Sequence, residues 1–283
     1  MILDRILKKK INNPLMPDLA KIEKITQETD TIKTFRLKFL NNKSFTFTPG
    51  QFIQLSVFGI GEAPISICSS AFNNEFFEIT VRNVGSVTNA LFRLNEGDLV
   101  GVRGPYGNGY PMNEFKYKNI VLVAGGVGLP PLKSIIEYVI NSRNDFESLT
   151  LFYGAKNPLD IVYKNEFERW DKEKLLQLLI TVDKPTPEWK GNVGVVTNLL
   201  NKIKMSKENT VAVICGPPIM MKFVIEKLKK LGFKDEQIYM SMERMMQCGT
   251  GQCGHCNIGK KYVCKDGPIF RYDELKELTE KSW

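Results

Sequence analysis

The feature that most constrains the fold of this chain is a change of pattern near residue 119. Before it, short runs rich in β-branched and aromatic residues alternate with turn residues such as Pro49-Gly50 and Gly104-Pro105. These runs predict strands over Ile32–Leu40, Phe52–Phe58, Phe76–Val84 and Leu99–Val102, interrupted by one helix over Thr88–Leu94. Strands this short and closely spaced are typical of a small antiparallel barrel.

After residue 119 the predicted strands become continuously apolar and alternate with helices. The strands are Ile120–Ala124, Leu149–Tyr153, Leu178–Val182, Val211–Ile214 and Ile238–Ser241, and the clearest helices are Pro131–Ile140 and Ile219–Leu231, the latter followed by a capping Gly232. Alternating strands and helices indicate a parallel sheet with helices on both faces. The last forty residues show little regular pattern.

Two glycine turns follow predicted parallel strands, at the edge where open α/β sheets bind ligands. Such turns let backbone amides approach a pyrophosphate, and the helix that follows favours its negative charge. A plain tight turn is the alternative for the first motif, and plain packing is the alternative for the cysteine of the second. The motifs are Gly125, Gly126, Val127 and Gly128 after the first strand, and Cys215, Gly216, Pro217 and Pro218 after the fourth.

Four of the six cysteines, Cys248, Cys253, Cys256 and Cys264, form a C-x4-C-x2-C-x7-C motif. In a reducing compartment such a group indicates a metal site rather than disulfides. The spacing of the first three is that of plant-type 2Fe–2S proteins, and the glycines between them suit a loop wrapped closely around a cluster. Zinc is the alternative, although zinc sites usually carry two C-x2-C pairs. We expect His255, the only histidine, to be a surface or secondary residue rather than a ligand.

Chain length indicates the number of domains, and charge and hydrophobicity argue against nucleic-acid-binding and membrane-spanning proteins. The 283 residues suggest two domains with room for a small third. The net charge is +8, but the lysines are scattered and form no stripe with aromatic residues, so we expect no nucleic-acid partner. No apolar run is long enough for a membrane span, and we expect a cytoplasmic protein.

The first eighteen residues are interpreted as an extension. Ile2, Leu3, Ile6, Leu7 and Ile11 fall on one side of a possible short helix. Packing on the body of the chain, docking to a partner and lying on a membrane surface are the three alternatives for this segment.

Taken in this order, the barrel pattern, the two glycine turns and the cysteine motif resemble the ferredoxin–NADP reductase superfamily over nearly the whole chain. The segments GEAPISICSS, VRGPYGNGYP and SMERMMQCGTGQCGHC are most similar to sulfhydrogenase gamma subunits and to the corresponding subunits of anaerobic sulfite reductases. The electron-transfer subunit of dihydroorotate dehydrogenase is a member of the same branch. The resemblance implies an N-terminal extension (1–18), an antiparallel β-barrel FAD domain (19–113), an α/β Rossmann-like NAD(P) domain (114–243) and a small 2Fe–2S domain (244–283).

The same resemblance implies roles for individual residues. Ala63-Pro64-Ile65-Ser66 matches a flavin-contacting stretch, which would place Ser66 near flavin N5, although Ala63 stands where the family usually has arginine. Ser66 and Cys215 would flank the contact between nicotinamide and flavin. The other implied flavin contacts are Pro64, Ile65, Ile67, Val81 and Arg82, and the second flavin motif Gly85, Ser86, Val87 and Thr88. Arg82 is the candidate to replace the missing arginine. In the second motif, a simple helix cap by Thr88 is the alternative interpretation, and it is compatible with a flavin contact.

The implied function is electron transfer. Hydride would pass from NAD(P)H to FAD, and single electrons would pass through the cluster to a partner, which would be a hydrogenase, sulfite reductase or ferredoxin-like iron–sulfur subunit. The direction and the choice of NAD or NADP stay open, with Lys156 as a candidate for a 2′-phosphate contact. The alternatives are an electron-transfer subunit of dihydroorotate dehydrogenase, a non-enzymatic redox relay and a zinc-stabilised regulatory subunit.

Overall fold

The computed structural model describes residues 13–41, 43–172, 176–202 and 206–276. The helix predicted within residues 1–11 lies outside these ranges. None of the helices described has both the length and the apolar run that crossing a lipid bilayer requires.

Six antiparallel strands form the first sheet, in the order β4-β3-β6-β1-β2-β5. All four predicted strands are present, and two more, β1 and β4, were not predicted. A bridge between Ile67, just after β4, and Ile79 on β5 joins the two edge strands, so the sheet curls as barrel strands do. The strands are β1 (Asp18–Thr29), β2 (Ile32–Phe39), β3 (Phe52–Val57), β4 (Gly61–Ser66), β5 (Phe77–Arg82) and β6 (Leu99–Tyr106), with helix α1 (Ser86–Leu91) before β6.

Alternation of side chains fills the inside of this curled sheet. On β5, Phe77, Ile79 and Val81 are buried while the residues between them are not, as the two-residue period of a strand requires. Phe45, from the loop after β2, packs on Phe77 with ring centroids 4.5 Å apart. The barrel half therefore has a hydrophobic core of its own.

Seven strands form the second sheet, in the order β10-β9-β8-β7-β11-β12-β15. All neighbours are parallel except β15, which runs antiparallel to β12, so the last forty residues hold more regular structure than expected. Its strands are β7 (Asn119–Gly125), β8 (Ser148–Ala155), β9 (Leu176–Val182), β10 (Asn192–Val193), β11 (Thr210–Cys215), β12 (Ile238–Ser241) and β15 (Ile269–Arg271). Between β12 and β15, the short strands β13 (Asn257–Ile258) and β14 (Lys261–Tyr262) form a separate two-stranded hairpin.

Helices cover both faces of this sheet, as predicted. They are α2 (Met112–Phe115), α3 (Leu129–Asn141), α4 (Lys164–Asp171), α5 (Pro218–Lys230), α6 (Val263–Asp266) and α7 (Tyr272–Leu275). On the central strand β7, Leu122 packs in the core that contains α3, and Val123 packs in the core that contains α5. Successive residues of a buried parallel strand thus fill opposite cores, which is why these strands are apolar throughout.

A buried polar network joins the barrel half to the α/β half. The hydroxyl oxygens of Thr80 on β5 and Tyr163 before α4 lie 2.6 Å apart. The Tyr163 amide donates to the Glu28 carboxylate at 3.0 Å, and buried Lys133 of α3 lies 3.4 Å from Glu78 of β5. Because the Tyr163 ring is 2% exposed, its hydroxyl has no access to bulk water as a substitute partner.

We predict that Tyr163→Phe lowers the free energy of unfolding by about 1 kcal/mol, because it removes one buried hydrogen bond and leaves Thr80 with fewer partners. Denaturant unfolding measures this. Tyr117→Phe is the matched control, since Tyr117 has a similar positive φ (58° against 60°) but is 64% exposed. Equal stability of Tyr163→Phe and wild type would contradict this account of the domain contact.

Candidate functional site

A cavity of about 820 Å³ lies at the carboxyl ends of the parallel strands, against the end of β5. It is lined by the turns after β7 and β11, by the ends of β8 and β9, by α5, and by Thr31 and Ile32 of the barrel half. The predicted site residues that line it are Arg82, Gly125, Gly126, Val127, Gly128, Gly216, Pro217 and Pro218. The structure therefore brings both glycine turns and one predicted flavin contact into a single cavity.

The first turn needs glycine for two different reasons. Gly126 has φ +53°, and a Cβ there would meet no protein atom within 4 Å, so its open side is available to a ligand. A Cβ on Gly128 would lie 2.2 Å from the Cys215 carbonyl oxygen, so glycine is required for the two turns to touch. Helix α3 begins immediately afterwards with prolines in its first turn, where no N–H partner is needed.

The second turn places a thiol beneath the cavity rather than in its wall. Cys215 is 2% exposed and does not line the cavity. Burial, together with the nearby Glu243 carboxylate, raises the pKa of the Cys215 thiol far above its usual value, while Ser241 offers a hydrogen bond. The thiol is therefore neutral and protonated at physiological pH, and it is not a nucleophile.

Glu243 is a site residue that the sequence reasoning missed. It follows β12, lines the cavity and is exposed. Desolvation raises the pKa of its carboxyl. A signal was available, because β12 was predicted correctly and residues after parallel strands face the ligand edge.

The segment expected to contact flavin forms the edge strand β4 and its continuation. Ser66 ends β4 opposite Phe52 of β3, and Pro64 lies opposite Gln54. Pro64, Ile65 and Ser66 are half-buried, Ile67 is fully buried, and none of the four lines the 820 Å³ cavity. The structure thus places them on the barrel half and outside the cavity lining.

The second predicted flavin turn is held by one hydroxyl. The Thr88 side chain accepts from the amides of Val84 and Gly85, both at 2.9 Å, and donates to the Gly85 carbonyl. This hydroxyl fixes the start of α1, where Ser86 is exposed and Val87 partly packs on the barrel core. Val81 points into that core and is 2% exposed.

The cysteine loop is organised by backbone amides that point at sulfur. The amides of Thr250, Gln252 and Cys253 each lie 3.4 Å from Cys248 Sγ, and the Gly251 amide lies 3.1 Å from Cys264 Sγ. Burial raises the pKa of the Cys248 thiol, but these donors outweigh it and lower that pKa to about 5. A thiolate is therefore favoured at Cys248, as ligation requires.

The four thiols differ in exposure. Cys256 and Cys264 are buried at 2% and 3%, Cys248 is intermediate and Cys253 is exposed, as is His255. Within the described residues, no group of three or more His, Cys, Asp or Glu side chains is arranged to hold a metal ion. Amides aimed at several sulfurs suit an iron–sulfur cluster, whose properties depend on such hydrogen bonds.

Comparison with known families assigns each part of the chain. Residues 18–110 match an oxidoreductase FAD-binding domain, and residues 122–226 match an oxidoreductase NAD-binding domain. Residues 243–276 match the iron–sulfur cluster binding domain of dihydroorotate dehydrogenase B. The three cofactors expected from the sequence thus each have a matching domain.

Known proteins are similar to this chain over nearly its whole length. Sulfhydrogenase 2 subunit gamma of Pyrococcus furiosus is 42% identical, covering 92% of this chain and 96% of the relative. A probable dihydroorotate dehydrogenase B (NAD(+)) electron transfer subunit from the same organism is 35% identical, covering 90% of each. A solved structure of an NADH-dependent reduced ferredoxin–NADP oxidoreductase superposes with a TM-score of 0.74 at 29% identity, covering 92% of both chains. The chain belongs to the ferredoxin–NADP reductase-like oxidoreductases, in the branch that carries an iron–sulfur domain and includes sulfhydrogenase gamma subunits and dihydroorotate dehydrogenase B electron-transfer subunits.

Proposed function

We propose that this chain is the electron-transfer subunit of a multisubunit redox complex, taking hydride from NAD(P)H onto FAD and passing single electrons through a 2Fe–2S cluster to a partner. The observation that best supports this proposal is the cavity that runs from the two glycine turns to Arg82 of the FAD-binding half. A dinucleotide bound along it would have its pyrophosphate at the Gly126 turn and its nicotinamide toward the barrel.

The residues of the chain act by binding and orientation. Nicotinamide C4 must come within about 3–3.5 Å of the flavin for hydride transfer. In this proposal Ser66, at the end of β4, would meet the flavin edge, and neutral Cys215 would support the nicotinamide. Because the Cys215 thiol stays protonated, covalent chemistry at this residue is not part of the proposal.

Glu243 adds a charge to this site. Its carboxylate lies in the cavity near Cys215, so it would favour the positively charged nicotinamide of the oxidised cofactor. The flavin, when bound, supplies the conversion between two-electron and one-electron transfer. Pro64, Ile65, Ile67, Arg82 and the turn from Gly85 to Thr88 would hold it against the curled sheet of the barrel half.

The cluster ligands in this proposal are Cys248, Cys253, Cys256 and Cys264. The exposed Cys253 marks the side of the loop that a partner could approach. A hydrogenase of the sulfhydrogenase type is the partner favoured by the similarity over 92% of the chain. A dihydroorotate dehydrogenase partner is the second candidate, supported by the match of residues 243–276.

Replacing Gly126 by alanine should weaken NAD(P)H binding by on the order of tenfold, because the new methyl enters the cavity at the pyrophosphate position. Flavin content should stay normal. Gly59→Ala is the control, since Gly59 also has a positive φ and open space around its Cβ but lies at the β3–β4 turn. Titration of each purified variant with NAD(P)H measures its affinity for the cofactor. Equal losses of affinity in the two variants would show that the Gly126 turn has a structural role only.

Glu243→Gln should weaken NAD⁺ binding more than NADH binding, because it removes a negative charge beside the nicotinamide. In the wild type the same preference should fade as the pH falls through the raised pKa of Glu243, since protonation neutralises the carboxylate. Binding titrations with both cofactors across pH test this. Glu226→Gln, which removes a charge from α5 in the same cavity, should leave the ratio unchanged. A pH-independent ratio in the wild type would contradict the assignment.

Cys253→Ala should prevent cluster assembly while hydride transfer to the flavin continues. Cys253 is exposed, so its loss removes a thiolate without opening the core in which Cys256 is packed. Iron and acid-labile sulfide analysis, with stopped-flow bleaching of the flavin by NAD(P)H, provides both measurements. His255→Ala, in the same loop and equally exposed, should keep the cluster. Full cluster content in Cys253→Ala would exclude this ligand, and stoichiometric zinc in the wild type would exclude the cluster itself.

A further inference from the structure

A buried arginine joins the cysteine loop to the barrel. Arg103 on β6 is 4% exposed, and its guanidinium makes a two-pronged ion pair with Glu62 of β4, at 2.5 and 2.9 Å. The same guanidinium donates to the carbonyl oxygens of Cys248 at 2.8 Å and Gln247 at 3.3 Å. One side chain therefore contacts both the strand that leads into the flavin segment and the backbone of a cluster ligand.

The last N–H of Arg103 is also used within this junction. It belongs to Nη1, which lies 3.1 Å from the Tyr106 hydroxyl and 3.3 Å from the Pro14 carbonyl oxygen. The Ser56 hydroxyl lies 2.5 Å from Glu62, which leaves the carboxylate well paired. A buried arginine is stable only when its charge and its donors are matched in this way.

Strand register places the two ends of this contact close together. Gln54 of β3 lies opposite Pro64 of β4 on one side and opposite Arg103 of β6 on the other. Arg103 thus reaches across β3 to Glu62, two residues before Pro64. The contact spans the short distance between the flavin-binding edge and the cysteine loop.

The loop itself is seated tightly on the same strands. Gly249 has φ +74°, and a Cβ there would lie 3.0 Å from the Tyr106 ring and 3.3 Å from Gln54 Cγ. The backbone next to Cys248 therefore lies directly on β3 and β6. Loss of the Arg103 contacts would release the loop at the residue where it meets the barrel.

We propose that Arg103 is a positioning residue for electron transfer from flavin to cluster, and that its buried charge raises the reduction potential of the cluster. The proposal rests on the proposed function and adds no chemical step to it. The guanidinium fixes the Cys248 backbone relative to β4. Its positive charge would favour the reduced state of a cluster bound by Cys248, because reduction adds an electron. Glu62 moderates that charge from the other side.

Redox titration of the purified holoprotein, monitored by electron paramagnetic resonance of the cluster, tests whether the Arg103 charge affects the reduction potential. Arg103→Gln should shift the midpoint potential to more negative values, and Glu62→Gln should shift it to more positive values, since each removes the opposite charge. A loosened loop would move both variants in the same direction. Shifts of equal sign, or no shift in either variant, would overturn the proposal.

Stopped-flow reduction by NADH tests the positioning. Bleaching of the flavin should keep its wild-type rate in Arg103→Gln, while subsequent reduction of the cluster slows several-fold. Arg103→Lys keeps the positive charge but cannot form the two-pronged ion pair. Its cluster should therefore have nearly the wild-type midpoint potential, while reduction of the cluster stays slow. Arg36→Gln is the control, because Arg36 forms a similar pair with Glu78 across β2 and β5 without contacting the cysteine loop.

Failure of the proposed function gives a different result. A wild-type protein that binds no cluster, or whose flavin NADH does not bleach, removes the basis for both proposals. A working wild type whose Arg103→Gln variant matches it in potential and transfer rate overturns the positioning role alone.

Discussion

The buried contact between Thr80 and Tyr163 joins the barrel half to the α/β half. It acts together with apolar contacts, because Ile32 and Phe52 of the barrel half pack in the hydrophobic cores of the α/β half. Hydride transfer tolerates errors of only a fraction of an ångström, so the barrel that holds flavin and the sheet that holds the nucleotide must keep one relative placement. Glu28 and Lys133 extend the contact, each paired with a group on the opposite half. Polar contacts suit this task because the geometry of a hydrogen bond is directional.

Sequence pattern predicted the parts of the fold in which burial and period coincide. Strand β12 was predicted to the residue, and α5 to within one residue at each end, because their apolar runs are bounded by clear turn residues. Strand β4 was missed because it contains Pro64 and shows no alternation, and proline is tolerated only because the strand lies at an edge. Strand β1 was missed because charged residues dominate its exposed face, although Ala20 and Ile22 are fully buried.

The candidate site likewise has features that the local sequence predicts and features that only the tertiary structure shows. Local chemistry identified the glycine turns and the cysteine motif, since each depends on residues close together in the chain. Nothing local indicates that Gly128 must be glycine because the Cys215 carbonyl lies against it, or that Arg103 contacts a loop some 145 positions away. Such requirements arise from strand order, which places β7 next to β11 and β6 next to β3.

The cysteine segment is also less separate than a three-part division of the chain suggests. Strand β15 extends the α/β sheet beside β12, and Cys256, Ile258 and Cys264 share one hydrophobic core with Val123 of β7 and Met240 of β12. Two of the predicted ligands are therefore core residues of the nucleotide-binding half, while Arg103 ties a third to the barrel. The loop consequently lies where both halves constrain it, and its position depends on their relative placement as much as the contact between nicotinamide and flavin does. Contacts of this kind explain how a small loop with little regular structure is held in a defined position, because part of it packs in the core of the α/β half and part is fixed to the barrel by Arg103.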